Sequence, residues 1–151
     1  MRAADGREPR RRGFSVKLFG TLQPAALLIL RLALGIMFFT HGYPKLAGPS
    51  AGFVAFFTQH GLPGFFVYVA GVLEVFGGML LVLGLFTRVT ALLLAVEMGV
   101  AIWKVHLAKG YLAFHEYEFP LIVGAACLVL ASVGAGMISI DRPLFKDKTG
   151  K

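Results

Sequence analysis

The stretch GFFVYVAGVLEVFGGMLLVLGLFTRVTALLLAVEMGVAIWKVHL, residues 64–107, decides the fold. Two apolar runs, about Gly64 to Phe86 and about Arg88 to Leu107, follow one another with almost no connection. Each is near the roughly 20 residues that cross a bilayer core as a helix, so the second must return antiparallel to the first. Across both runs only Glu74, Arg88, Glu97 and Lys104 carry charge.

Working outward, a further apolar run extends from about Pro24 to Tyr43, with Pro24 suited to a first helical turn because its missing N–H would have no partner there. Another extends from about Tyr117 to Ile138, bounded by Gly134 and Gly136. The 151 residues are 57% hydrophobic and 15% charged, with a mean hydropathy of +0.75. A soluble domain has about 45–50% apolar and about 25% charged residues. The expected fold class is therefore an all-α integral membrane protein, an antiparallel up-down four-helix bundle. Its divisions are a basic tail over residues 1–23, the four-span domain over 24–140 and a second basic tail over 141–151. Nineteen glycines and fourteen phenylalanines suit close helix packing in lipid. The lone cysteine, Cys127, excludes a disulfide framework and reads as a small packing residue.

The formal net charge of +7 would ordinarily suggest nucleic acid, but the tails hold +4 and +2 of it and leave +1 for everything between. The basicity is terminal, and no nucleic-acid partner is expected. Basic residues flanking membrane spans are retained in the cytoplasm. With four spans both tails share one side, which would gather ten basic tail residues and Arg88, against Lys45, Lys109 and Lys104 on the other. The expected topology has both termini cytoplasmic. Arg11-Arg12-Gly13-Phe14 before an apolar run has the look of a twin-arginine export signal. Arg31 within the following span, the absence of a clean cleavage site and three later spans favour a basic anchor instead.

The long connection from Pro44 to Pro63 is not simply polar. Phe53, Phe56 and Phe57 stand at spacing i, i+3, i+4, which predicts a short helix in the interface, acting as a lid or a float.

Charged groups in a hydrocarbon span are costly and usually face partners inside the bundle. Counted at about 1.5 Å per residue from the assumed cytoplasmic ends, Arg31 lies about 10 Å in, Glu97 about 13 Å and Glu74 about 18 Å. Arg31 is therefore expected to pair with Glu97 and to approach Glu74. Ala70, Gly71, Gly77 and Gly78 share the face of Glu74, which places its carboxylate on a helix contact surface and makes it either a structural ion pair or a proton-exchanging group. Lys104 lies two turns beyond Glu97 on the same face, where it would also be able to snorkel outward. His41, Lys45, Lys104, His106, His115, Glu116 and Glu118 converge in height at the outer ends. Such a set would contact a polar or quinone-like head group, or would form a solvated rim with pairs such as His106 with Glu118. His41 and His106 would reach a b-type haem only as a weak pattern. No haem and no metal site are expected.

The run Arg31-Leu32-Ala33-Leu34-Gly35 followed by Phe39-Thr40-His41-Gly42-Tyr43-Pro44-Lys45-Leu46 resembles the start of the DoxX family of small four-span bacterial and archaeal membrane proteins. Glu74-Val75-Phe76-Gly77-Gly78-Met79-Leu80-Leu81-Val82-Leu83-Gly84-Leu85-Phe86-Thr87-Arg88 is the most specific match, and Met98, His106, Gly110, Glu118 and Gly134 to Asp141 add to it. The sequence departs from the family's usual pattern at Met137 and at Lys109-Gly110-Tyr111. The resemblance implies a cell inner membrane protein associated with quinone-linked redox or oxidative-stress complexes. It marks Arg31, His41, Lys45, Glu74, Arg88, His106 and Glu118 as candidates for quinone or partner contact. The functional expectation is a quinone-interacting or anchoring subunit whose partner supplies the electron-carrying centre. Two alternatives stand beside it: a small proton- or cation-coupled transporter, and a structural partner without chemistry. Homo-oligomerisation is open.

Overall fold

The computed structural model describes residues 12–48, 51–106 and 114–145. Residues 1–11 and 146–151 of the expected tails 1–23 and 141–151, and the Lys109-Gly110-Tyr111 stretch, lie outside the described residues. Helix α1 (Arg12–Ala47) is followed by short α2 (Ala51–Gln59), then α3 (Phe66–Leu83), α4 (Thr87–Ala101), α5 (Phe114–Val133) and a single turn, α6 (Asp141–Leu144). Helix α4 runs on into a five-residue π-helical turn, Ile102–His106.

The protein is a helical membrane bundle with α1, α3, α4 and α5 as its four long members. Gly20–Ala47 within α1, all of α3 and all of α5 are long and apolar enough to span a bilayer. Helix α4 with its π turn makes the fourth rod. In cross-section α1 packs on α3, α3 on α4, α4 on α5 and α5 back on α1. Inside lie Leu27, Leu34, Phe38, Leu81, Ala91, Leu94, Val123, Cys127 and Leu130. The outside is no less apolar: Ile29, Phe76, Val89 and Ile122 are 66%, 55%, 60% and 67% exposed. Water would penalise that surface at every helix, whereas lipid tails do not.

The tightest seam joins α1 to α3. A Cβ added to Gly35 would stand 2.6 Å from the carbonyl oxygen of Gly78, and one added to Gly78 would stand 2.5 Å from that of Gly35. Small residues bring the two backbones together where no hydrophobic effect exists to do so. One level up, Gly42 rests on Gly71 and Glu74 in the same way.

Two boundaries differ from the sequence expectation. Pro24 is not an opening residue but lies inside α1, whose start is Arg12. Helix α5 ends at Val133 and not near Ile138, because Gly134 takes a left-handed φ of 87° and its N–H closes on Leu130 O at 2.8 Å. Residues 134–140 then cross beneath the bundle. The short helix read from the phenylalanine spacing is present as α2.

The end of the bundle opposite α2 is closed by backbone chemistry. Leu85 N–H donates to Leu80 O and Gly84 N–H to Leu81 O, a Schellman termination of α3, with Gly84 at φ 67°. The start of α4 is capped from far away in sequence. Asp141 accepts from Phe86 N–H at 2.6 Å and from Thr87 N–H at 2.9 Å, and its own N–H donates to Gly84 O at 2.8 Å. A carboxylate at a helix N-terminus satisfies free N–H groups and meets the positive end of the helix dipole.

Candidate functional site

Arg31 is the largest fully buried side chain, 1% exposed, and it belongs to the closed end. Its Nη2 donates to Ile138 O at 2.5 Å, and its guanidinium lies against Gly84, where any side chain would overlap it. The expected pairs of Arg31 with Glu97 and Glu74 are not formed. The error was one of height. Because α1 begins at Arg12, its first apolar residue does not mark the level of the bundle, and the Gly35–Gly78 contact sets the register instead. Arg31 is eleven residues before Gly42, which faces Glu74, so about 16 Å of helix separate the two levels.

Glu74 pairs with Lys45 of α1. Both are shielded, with side chains 6% and 14% exposed, and the glycines flanking Glu74 on α3 let α1 approach closely enough for the link. Glu97 reaches the same region from α4. Its Oε2 is buried and has no hydrogen-bond partner among the described residues.

These three groups lie at one cavity of about 810 Å³ between α2, α3 and α4. Phe53, Phe56, Phe57 and His60 of α2 form one wall, Phe66, Val69, Ala70 and Leu73 of α3 a second, and Leu93, Val96, Met98, Val100 and Ala101 of α4 a third. Among the described residues, Lys45, Glu74, Glu97 and His60 are the ionisable side chains along it. The volume falls within the roughly 300–1,000 Å³ of small-molecule pockets, and the combination of apolar walls with a few convergent polar groups is how such pockets orient a ligand.

The remainder of the expected outer cluster is dispersed. His41 Nδ1 donates to Met37 O at 2.8 Å, and its ring faces Phe119 of α5 at 6.2 Å, away from the cavity. Glu118 pairs with His115 at 3.4 Å on an exposed first turn of α5. Lys104 lies over the Trp103 ring at 4.4 Å and does not reach the cavity. The two-turn alignment of Lys104 with Glu97 assumes an unbroken α-helix, and the π turn interrupts it. The backbone of His106 closes that turn, while its side chain lies outside the described residues.

His60 is the residue that sequence reasoning missed. It continues the Phe53, Phe56, Phe57 stripe at i+7, and that extension was the available signal. Its Nδ1 lies 2.7 Å from Phe56 O, and its ring stands 4.4 Å from the Phe56 ring.

The sequence model of the DoxX family matches residues 26–107, more than half of the chain and every described residue that lines the cavity. This chain belongs to the DoxX family. Among its curated relatives, the Bacillus subtilis protein named "Putative oxidoreductase CatD" is 36% identical over 121 residues, covering 80% of this chain and 88% of CatD. Inner membrane protein YphA of Escherichia coli is 35% identical over 133 residues, 82% and 94% of the two chains. Inner membrane protein YqjF of the same organism is 32% identical over 127 residues, 83% and 96%. No solved structure matches. Within this DoxX chain the most specific motif, Glu74 to Arg88, runs from the cavity to the closed end, so a single helix links the two.

Proposed function

We propose that this DoxX protein is a quinone-interacting subunit of a membrane redox complex, with the α2–α3–α4 cavity as its head-group site. One observation carries the reading: a buried carboxyl oxygen of Glu97, without a partner among the described residues, lies beside the Lys45–Glu74 pair in a cavity walled, His60 apart, by aliphatic and aromatic side chains. A lipophilic tail suits the walls, a flat ring suits the phenylalanines, and ring oxygens suit the polar base. A bound quinone would supply the two-electron, two-proton chemistry. The chain's own residues bind and orient it: Lys45 has N–H groups beyond the one given to Glu74 for a ring carbonyl, and Glu97 would accept from a ring hydroxyl once the ring is reduced. No electron-carrying centre is expected in this chain, so a partner subunit supplies it, and the word oxidoreductase in the name of CatD supports that setting.

The charge pattern supports both termini on the cytoplasmic face, which would place α2 and the cavity at the outer leaflet. Reporter fusions at residue 151 that are active only in the cytoplasm would bear this out, and activity only outside would reverse it.

The site itself is tested by equilibrium binding of a short-chain ubiquinone to the protein purified in nanodiscs. Ala70→Trp fills the cavity from α3, one helical turn from Glu74. Binding by the native protein and its loss in Ala70→Trp is the expected result, and equal binding by both proteins removes the cavity from the reading.

A further inference from the structure

The walls of the cavity are unequal in what they show to the surroundings. Its ion pair is shielded, with the side chains of Lys45 and Glu74 14% and 6% exposed. Its α4 wall is not. Leu93, Val96 and Val100 stand at i, i+3 and i+7, on one stripe of the helix, and all three line the cavity while remaining exposed, Val96 by 58%. Phe66 and Val69 of α3 do the same, Val69 by 50%, and Phe56 of α2 forms the upper edge. A residue that both lines a cavity and meets the outside marks its mouth. The mouth therefore runs along α4, facing α3 and α2, and none of these six side chains is polar.

The helices part here for a visible reason. Helices α3 and α4 touch at Gly77, where an added Cβ would stand 3.3 Å from Leu94. One turn farther from the closed end, Glu74 and Glu97 replace that contact, and the cavity begins with them. The depth of the mouth follows from the two ends of α4. Arg88 is exposed at one end and Trp103, 65% exposed, stands in the π turn at the other, and such side chains belong at membrane interfaces. Val96 lies about 12 Å along the helix from Arg88 and about 10 Å before Trp103, near the middle of a hydrocarbon core roughly 30 Å thick. Lipid tails, and not water, meet the protein at that depth.

From this we infer that the cavity is entered sideways from the bilayer, and that a bound ligand leaves its hydrocarbon tail, of whatever length, lying out through the mouth past Val96. The inference rests on the proposed quinone reading for the ring and goes beyond it in naming the route and the tail's place. A closed cavity of about 810 Å³ would reject a long isoprenoid tail, whereas one open to lipid does not. A tail in the mouth exchanges lipid for aliphatic side chains with no hydrophobic gain either way. Tail length should therefore leave affinity unchanged once the ligand is counted per lipid.

The test compares ubiquinone-1 with ubiquinone-10, both titrated by mole fraction of lipid into the nanodisc-embedded protein. Affinities within about twofold of each other are expected, since the longer tail meets apolar neighbours bound or free. Val96→Trp narrows the passage and should weaken ubiquinone-10 at least about tenfold while changing tail-less ubiquinone-0 by less than about twofold. The mouth is also read without any quinone. A nitroxide on Val96→Cys, with Cys127 buried and out of the label's reach, should collide freely with lipid-soluble oxygen and rarely with a water-soluble nickel chelate. Nickel collisions in excess of oxygen collisions would overturn the sideways mouth. Binding of ubiquinone-1 without ubiquinone-10 by the native protein would overturn the inference and leave the quinone reading intact. Equal weakening of ubiquinone-0 and ubiquinone-10 by Val96→Trp would remove Val96 from the tail's path. Failure of every quinone to bind would overturn the quinone reading itself, and the collision measurement would then decide the mouth alone.

Discussion

The two ends of this bundle are built on opposite principles. At the Gly84 end, backbone groups close on one another: the α3 terminus is a Schellman motif, the α4 start is capped by Asp141, and Arg31 fastens the returning segment through Ile138. At the α2 end, side chains border a cavity, one carboxylate oxygen is unsatisfied, and α2 has no buried residue. The first end ties Arg31 and Asp141 to backbone groups that hold the fold, although Arg31 Nε and Nη1 and Thr87 Oγ1 there are buried without a hydrogen-bond partner among the described residues. The second sets its polar side chains along a cavity. In a small membrane protein, this division separates charges that specify structure from charges that can meet a ligand.

Substitutions can break that contrast. The largest effect is expected at Gly84, where a side chain would meet the Arg31 guanidinium and also strain a left-handed backbone. Gly84→Val should cost about 4 kcal/mol, seen as loss of the folded species in detergent size-exclusion after mild heating. Lys45→Met comes next, because it leaves Glu74 buried without its cation. A loss of about 3 kcal/mol is expected, and the double variant Lys45→Met with Glu74→Gln should recover most of it. Recovery would show that the pair is dispensable for folding, as a ligand-facing pair should be. Asp141→Ala removes two caps from α4 and should lower stability by about 2 kcal/mol without changing ligand binding. The smallest stability effect, within about 0.5 kcal/mol, is expected for His60→Phe, although it removes a polar group from the cavity lining and should weaken short-chain ubiquinone binding. If Asp141→Ala altered binding and His60→Phe did not, the division between the ends would be wrong.

The fold was largely legible in the sequence because bilayer thickness sets helix length, and apolar runs of the right length with short connections leave little choice of topology. Even α2 was announced by Phe53, Phe56 and Phe57. Heights were not legible. An apolar run says how long a helix can be, but the register of α1 against α3 is a contact property of Gly35 and Gly78, and without it Arg31 was assigned to carboxylates a long way up the bundle. The site was half legible for the same reason. Glu74 and Glu97 stand out as charges in apolar surroundings and Lys45 as one of the outer-end cluster, yet their grouping depends on helix rotation and level. His41, Lys104 and Glu118 share an approximate height with the cavity and face other neighbours. His60 was overlooked because it follows a stretch that reads as interface, where a histidine is unremarkable until the cavity behind α2 is known.

The capping of α4 by Asp141 also bears on how the molecule is made. Helix α4 starts at residue 87, but the acceptor for the N–H groups of Phe86 and Thr87 stands 55 and 54 positions later in the chain. When α3 and α4 first emerge during synthesis, their connecting turn lacks its final fastening. That fastening arrives only after α5 has followed and the chain has doubled back beneath the bundle. The turn is thus drawn early and sealed late, and a product cut short before residue 141 would carry all four long helices but leave the joint between two of them open.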